Sequence, residues 1–313
     1  MDVREISTWT AIVTPFLENG SVDTASLERL VAEQSAAGNG LVVLGSTGEA
    51  LACNEAEKLD ILKAIMWMDR EVPVVVGVGG FQLETQRAWI RKGNALGVDG
   101  FMLVTPLYAK PGAAGQVAWF EALMNEAEAP CMLYNIPGRA ATPLHLDVVS
   151  QLGTHRHAWA IKEAGGTLAS YRTYREAAQN QWVLYSGDDP LLPTFAPEGA
   201  AGVVSVAANI WPALTHQFTQ WVCGASGDEL ASEGAQSAIQ TWGRLTESLF
   251  VTSNPVPAKV LLATQGRLSS ATTRAPLSIK EEALEGLDVE LLERLATELS
   301  LSLSQRSGNN IDF

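Results

Sequence analysis

Cysteine is scarce in this chain: three residues in 313, Cys53, Cys131 and Cys223, odd in number, far apart and in no CxxC arrangement. That excludes a disulfide framework and a thiolate zinc site, and it points to reduced thiols in the cytoplasm. Positive charge is also short, with 21 Lys and Arg against 35 Asp and Glu and a formal net charge of −14. Nucleic acid and anionic membrane surfaces both reward clustered cations, so neither is an expected partner. An anionic ligand must be held by local positive groups. No apolar stretch approaches the roughly 20 residues that span a bilayer. The first residues, Met1-Asp2-Val3-Arg4-Glu5, lack the basic and then apolar order of a secretory leader. No repeat, low-complexity tract or long linker breaks the chain. Histidine numbers four. The pair flanking Arg156, His155 and His157, falls in a short polar loop before a strand, on the rim opposite the other candidate residues, so no metal site is expected.

What is present is apolar residue, 47% of the chain, enough for a large core. Up to about residue 223, short β-rich runs alternate with longer segments of helical spacing. The runs are Trp9–Val13, Leu41–Leu44, Val72–Val76, Gly100–Val104, Cys131–Tyr134, Trp159–Ile161, Trp182–Tyr185 and Gly202–Val206. Helices are expected over Thr24–Ala37, Asn54–Met68, Leu83–Leu96, Gln116–Ala127 and Pro143–Leu152, where Asp23, Asn54 and Thr142-Pro143 give start signals. Eight evenly spaced strands favour a closed (β/α)₈ barrel over an open Rossmann-like sheet, and no GxGxxG follows the first strand. The barrel is expected to occupy residues 1–225. Residues 226–313 form a helical appendage, with apolar periodicity through Leu230–Val251, Val256–Leu268 and Leu287–Leu301 and a polar, frayed end at Gln305–Phe313.

Chemistry-bearing residues gather at the carboxyl ends of the strands, the edge where barrels bind substrates. Lys162 closes the run Ala158-Trp159-Ala160-Ile161 and is followed by Glu163-Ala164-Gly165-Gly166, a turn into another helix. Ser46 and Thr47 lie between glycines in Gly45-Ser46-Thr47-Gly48-Glu49, a loop whose N–H groups and hydroxyls suit a carboxylate or carbonyl oxygen. Tyr108 follows the fourth strand. Tyr134 and Arg139 lie in Tyr134-Asn135-Ile136-Pro137-Gly138-Arg139, after the fifth, where a tyrosine suits proton relay and an arginine a bidentate carboxylate clamp. Each has a plainer reading as packing or surface; their convergence on one rim is what carries weight.

The segments Thr10–Phe16, Gly45–Glu49, Tyr134–Arg139, Ile161–Ala164, Ser186–Asp189 and Asn254-Pro255-Val256-Pro257-Ala258-Lys259, in that order, resemble the dihydrodipicolinate synthase family of class I, lysine-dependent aldolases. The resemblance implies a (β/α)₈ barrel, usually tetrameric, in which Lys162 forms a Schiff base with pyruvate and no metal or organic cofactor takes part. It further implies a proton relay of Ser46, Tyr134 and Tyr108, the last reaching in from a neighbouring subunit of a homotetramer or homodimer. Thr47 is then a ligand of the pyruvate carboxylate and Arg139 of the second substrate's, with Gly187 and Val204 lining the pocket.

Arg139 points within the family to an aldehyde bearing its own carboxylate, aspartate semialdehyde. The product is 4-hydroxy-tetrahydrodipicolinate, on the diaminopimelate route to lysine. The alternatives are another pyruvate-dependent aldolase, such as an N-acetylneuraminate lyase or a 2-keto-3-deoxy sugar acid aldolase, and a keto-acid-binding barrel without turnover. Ser46 where threonine is usual, Ala140, and Gly79-Gly80-Phe81-Gln82 depart from the synthase pattern. Glu55 and Lys58 stand where lysine-inhibited members carry histidines, so lysine inhibition is not expected.

Overall fold

A closed ring of eight parallel strands forms the centre of the computed structural model, which describes residues 2–308. They are β1 Thr8–Ala11, β2 Gly40–Val43, β3 Val74–Val78, β4 Gly100–Val104, β5 Cys131–Asn135, β6 Ala158–Glu163, β7 Val183–Ser186 and β8 Val203–Ser205. Each strand pairs with the next, and β8 returns to β1 through Trp9 opposite Val204. All eight anticipated runs are strands.

Alternation along the strands makes two apolar layers. Val42, Val75, Met102, Met132, Ala160, Tyr185 and Val204 fill the inside. Val43, Val74, Val76, Leu103, Leu133, Ile161 and Leu184 face the surrounding helices. β6 departs from strict alternation: Cys131 pairs with Ala158 and Met132 with Ala160, so Trp159 is an inserted residue. The bulge lets Trp159 join the inner layer, where its ring meets Trp9 at 5.5 Å and Tyr185 at 6.1 Å. Tyr185 is anchored by donating to the Ile6 carbonyl. These three rings close the barrel floor, and past the bulge β6 resumes its period with Lys162 on the inward side.

The helices are α1 Thr24–Ala37, α2 Glu55–Trp67, α3 Leu83–Leu96, α4 Ala113–Glu126, α5 Pro137–Ala140, α6 Leu146–Leu152, α7 Leu168–Ala178, α8 Leu192–Phe195, α9 Pro212–Gly224, α10 Gly227–Ala231, α11 Glu233–Glu247, α12 Val256–Thr264 and α13 Val289–Gly308. Asp23 caps α1 and Asn54 opens α2 with a full capping box to Glu57. α6 starts three residues later than its apolar pattern suggests, because the Leu144 N–H is taken by the Asn135 side chain and His145 is the cap. α4 starts three residues earlier than expected, capped by Gly112. The Leu230–Val251 stretch is divided at Ser232, which caps α11, and α12 stops at Thr264, before Gly266 at φ +69.

Every described element after β8 is helical or a 3₁₀ turn. This C-terminal region grips the barrel by polar contacts: the Trp242 indole donates to the Asp189 carbonyl, and Arg267 bonds Glu33 and the carbonyls of Asn209 and Ile210. Helix α13 runs through Gly308, so Gln305–Gly308 is helical where fraying was expected; residues 309–313 of that tail lie outside the described residues.

Candidate active site

Lys162 stands inside the barrel at the carboxyl end of β6, 4% exposed, directly opposite Tyr134 in the ladder. Its Nζ lies 4.1 Å from the centre of the Tyr134 ring. Burial favours the neutral amine and pushes the Lys162 pKa down to about 8, with the Arg139 guanidinium adding to the shift and the carboxylates of Asp188 and Asp189 opposing it. Burial raises the Tyr134 phenol well above its ordinary value, with Arg139 and the nearby Ser46 hydroxyl working against it. A buried neutral phenol near a rim hydroxyl is suited to carrying a proton, not a charge.

The next residue faces the other way. The Glu163 carboxylate accepts from Asn135 Nδ2 at 2.6 Å, Ser170 Oγ at 2.6 Å and the Gly165 N–H at 2.9 Å. These bonds, with that from Leu144 to Asn135, tie the ends of β5 and β6 together behind the site. The backbone carrying Tyr134 and Lys162 is thereby fixed.

Above them opens a cavity of about 670 Å³. Ser46, Tyr108, Tyr134, Arg139 and Asn254 are among its walls. Lys162 is not a wall residue but lies beneath, against the Tyr134 ring. Gly77 of β3 is another wall residue, and its lack of a side chain lets the backbone after β2 come close: a Cβ there would fall 2.4 Å from the Leu44 carbonyl oxygen. Arg139, just beyond the end of β5 in the short helix α5, is exposed and donates to the Asn254 carbonyl at 3.1 Å.

Thr47 is buried, its Oγ1 accepting from Asn254 Nδ2 at 2.9 Å. Tyr108 is 86% exposed at φ +67, its ring 6.5 Å from the exposed Phe81, and is not bonded to Tyr134 or Ser46 within this chain. Gly187 and Val204, expected as pocket lining, are not among the cavity walls. Gly187 donates to the Glu163 carbonyl at 2.7 Å, and the Val204 side chain packs into the inner layer beside β1. Among the described residues no group of three His, Cys, Asp or Glu is placed to hold a metal ion.

Three residues without an assigned role from sequence also belong here. Asp188 faces Lys162 closely enough that the ammonium lowers its pKa, although burial, the larger effect, leaves it raised. Glu49 and Lys259 form an ion pair with both side chains out of solvent. Glu49 ends the Ser46–Thr47 loop at φ +51, and Lys259 also donates to the Thr272 carbonyl and lies 4.2 Å above the Phe16 ring. The sequence signal was available for Lys259: a lysine within Val256-Pro257-Ala258-Lys259-Val260-Leu261-Leu262 has no exposed face to occupy.

A model of the dihydrodipicolinate synthetase family matches residues 5–293. The 4-hydroxy-tetrahydrodipicolinate synthase of Francisella philomiragia subsp. philomiragia is 42% identical over 273 residues, covering 87% of this chain and 90% of that protein. The enzyme of the same name from Wolbachia pipientis subsp. Culex pipiens is 39% identical over 274 residues, with the same coverage. Among solved structures, dihydrodipicolinate synthase from Acinetobacter baumannii, complexed with pyruvate, superimposes with a TM-score of 0.84 at 29% identity, covering 94% of this chain and 99% of that one. Its counterpart from Bacillus anthracis gives 0.83 at 31% identity, covering 95% and 99%.

Proposed function

The chain belongs to the dihydrodipicolinate synthetase family, and from that premise we infer the reaction and the part each residue plays in it. It is a lyase that condenses pyruvate with L-aspartate 4-semialdehyde to 4-hydroxy-tetrahydrodipicolinate, in lysine biosynthesis through diaminopimelate. The observation that carries the residue assignments is Lys162, an amine inside the barrel with its pKa pushed down to about 8 and a neutral phenol against it.

The neutral Lys162 amine adds to the C2 carbonyl of pyruvate, and the carbinolamine loses water to leave a protonated imine. That imine draws electrons from the methyl group, which gives up a proton and becomes the nucleophilic carbon of an enamine. The carbon attacks the aldehyde carbon of the semialdehyde, forming the new C–C bond, and the resulting alkoxide takes a proton. The amino group of the second substrate then adds at the imine carbon and expels Lys162, closing the ring and restoring the free amine. The imine is its own electron sink, so we assign no metal or organic cofactor to the cycle.

We assign Tyr134 to move these protons, with Ser46, which also lines the cavity, as its neighbour in the relay. Thr47 is assigned to the pyruvate carboxylate and Arg139, at the cavity wall, to the carboxylate of the aldehyde. Tyr108 completes the relay of a neighbouring subunit. Its support is its exposure at the cavity mouth beside two more exposed apolar residues, Leu51 at 71% and Phe81 at 60%. On this reading the protein is a homodimer or homotetramer. We place it in the cytoplasm, in keeping with three free cysteines; among the described residues no helix is long and apolar enough to cross a membrane.

A panel of aldehydes offered with pyruvate tests the second substrate. Aspartate semialdehyde is turned over in preference to sugar aldehydes, and Arg139→Met erases that preference by raising its KM about tenfold or more, the scale of a lost charge-assisted hydrogen bond. A preference for a sugar aldehyde would move the chain to the sialic acid or sugar-acid branch.

A further inference from the structure

The segment Asn254–Lys259 opens α12 in the C-terminal region, yet both its ends reach the loop after β2. Asn254 Nδ2 donates to Thr47 Oγ1 at 2.9 Å, and one turn on Lys259 pairs with Glu49. The same Asn254 accepts from Arg139 through its main-chain carbonyl. One residue therefore touches both groups assigned to substrate carboxylates. Asn254 is 7% exposed and its Oδ1 has no hydrogen-bond partner among the described residues.

The direction of the bond to Thr47 matters. A hydroxyl has one proton to give and two lone pairs. With the Asn254 amide donating to it, a lone pair of Thr47 is occupied and its proton remains for an acceptor in the site. Were the amide reversed, Thr47 would spend its proton on Oδ1 and have none for a carboxylate. The observed orientation leaves Oδ1 buried and unpaired, a cost that a reversed amide would merely transfer to Nδ2.

Resting on the pyruvate reading above, we propose that Asn254 is a positioning residue that commits the Thr47 hydroxyl to donate to the pyruvate carboxylate. The segment Asn254–Lys259 is then the means by which the C-terminal region sets the pyruvate site. Lys259 holds the far end of the loop while Asn254 fixes the proton.

The test is steady-state kinetics of Asn254→Asp, Asn254→Ala and Thr47→Val, singly and combined, with thermal melts to confirm folding. A carboxylate at 254 accepts but does not donate, so Thr47 turns its proton toward it. Asn254→Asp therefore raises the KM for pyruvate about tenfold or more, the scale of one hydrogen bond to a charged group. Asn254→Ala raises it less. The KM for the aldehyde stays within about twofold, since the main-chain carbonyl facing Arg139 is kept, and on a Thr47→Val background Asn254→Asp adds less than about twofold, as residues acting through one group are non-additive.

If Asn254→Asp fails to fold, the cycle of Asn254→Ala with Thr47→Val carries the same comparison. An unchanged pyruvate KM, full additivity with Thr47→Val, or a loss spread equally over kcat and both KM values overturns the proposal. Borohydride trapping of pyruvate on the wild-type protein separates the two levels. An adduct together with any of those kinetic results overturns the positioning role alone. No adduct in the wild type overturns the Schiff-base reading and this proposal with it.

Discussion

Tyr134 and Lys162 are register partners across the β5–β6 ladder, and the lysine nitrogen lies 4.1 Å from the centre of the tyrosine ring. The pairing sets a buried amine against a buried phenol beneath the cavity at the carboxyl ends of the strands.

The pH dependence of imine formation follows from that burial. Only the neutral amine attacks, so the rate of pyruvate trapping rises with pH up to about 8, where Lys162 loses its proton, and then levels. Asp188 holds the pKa up, so Asp188→Asn shifts the midpoint to lower pH. Stopped-time borohydride quenching across pH 6 to 10 (roughly the range that brackets this pKa) reads both midpoints. A midpoint in Asp188→Asn at or above that of the wild type contradicts the account.

The same shift has a stability consequence. Between the folded value of about 8 and the ordinary 10.5, the unfolded chain binds a proton that the folded chain does not. Stability contributed by this position therefore rises with pH across that window, and below it the full penalty of burying the amine is present. One pKa unit corresponds to about 1.4 kcal/mol, so Lys162→Met stabilises the fold at pH 7 by up to about 3 kcal/mol. Denaturant midpoints at pH 7 and at pH near 10 check it, the stabilisation shrinking at the higher pH.

Tyr134→Phe keeps the ring against Lys162 and removes the hydroxyl assigned to proton transfer. Borohydride still traps the pyruvate adduct, while kcat for the condensation falls by about 10²- to 10⁴-fold, the usual scale for a lost proton-transfer group. Parallel trapping and turnover assays check the split; equal losses in both would assign Tyr134 to packing.

Lys259→Met leaves Glu49 buried without its counter-ion and destabilises the fold by about 3–5 kcal/mol. Adding Glu49→Gln removes the stranded charge and restores much of that loss. Chemical denaturation of the two variants checks the ordering. A double variant no more stable than the single would contradict the pairing.

The barrel was legible because two periods coexist in the chain: the β-rich runs are strands, and Thr24–Ala37 and Leu83–Leu96 are helices to the residue. The inward aim of Lys162 was less so. Strict alternation within β6 is broken at Trp159, and the insertion is visible only once β5 is laid beside it. Ser46, Tyr134 and Arg139 could be collected on one rim by their strand-end positions. Glu49–Lys259 and Thr47–Asn254 could not, since 210 and 207 residues separate the partners and no local pattern links them. That Val204 lies level with Trp9, its side chain in the inner layer, is likewise seen only in the closed ring.

The central claim is that Lys162 is the nucleophile. Intact-mass analysis after borohydride reduction in the presence of pyruvate, with peptide mapping of the adduct, tests it most directly. The wild type acquires one reduced pyruvate per chain, located on Lys162, and Lys162→Ala acquires none; an adduct that persists in Lys162→Ala, or a wild type that takes up no pyruvate, contradicts the claim.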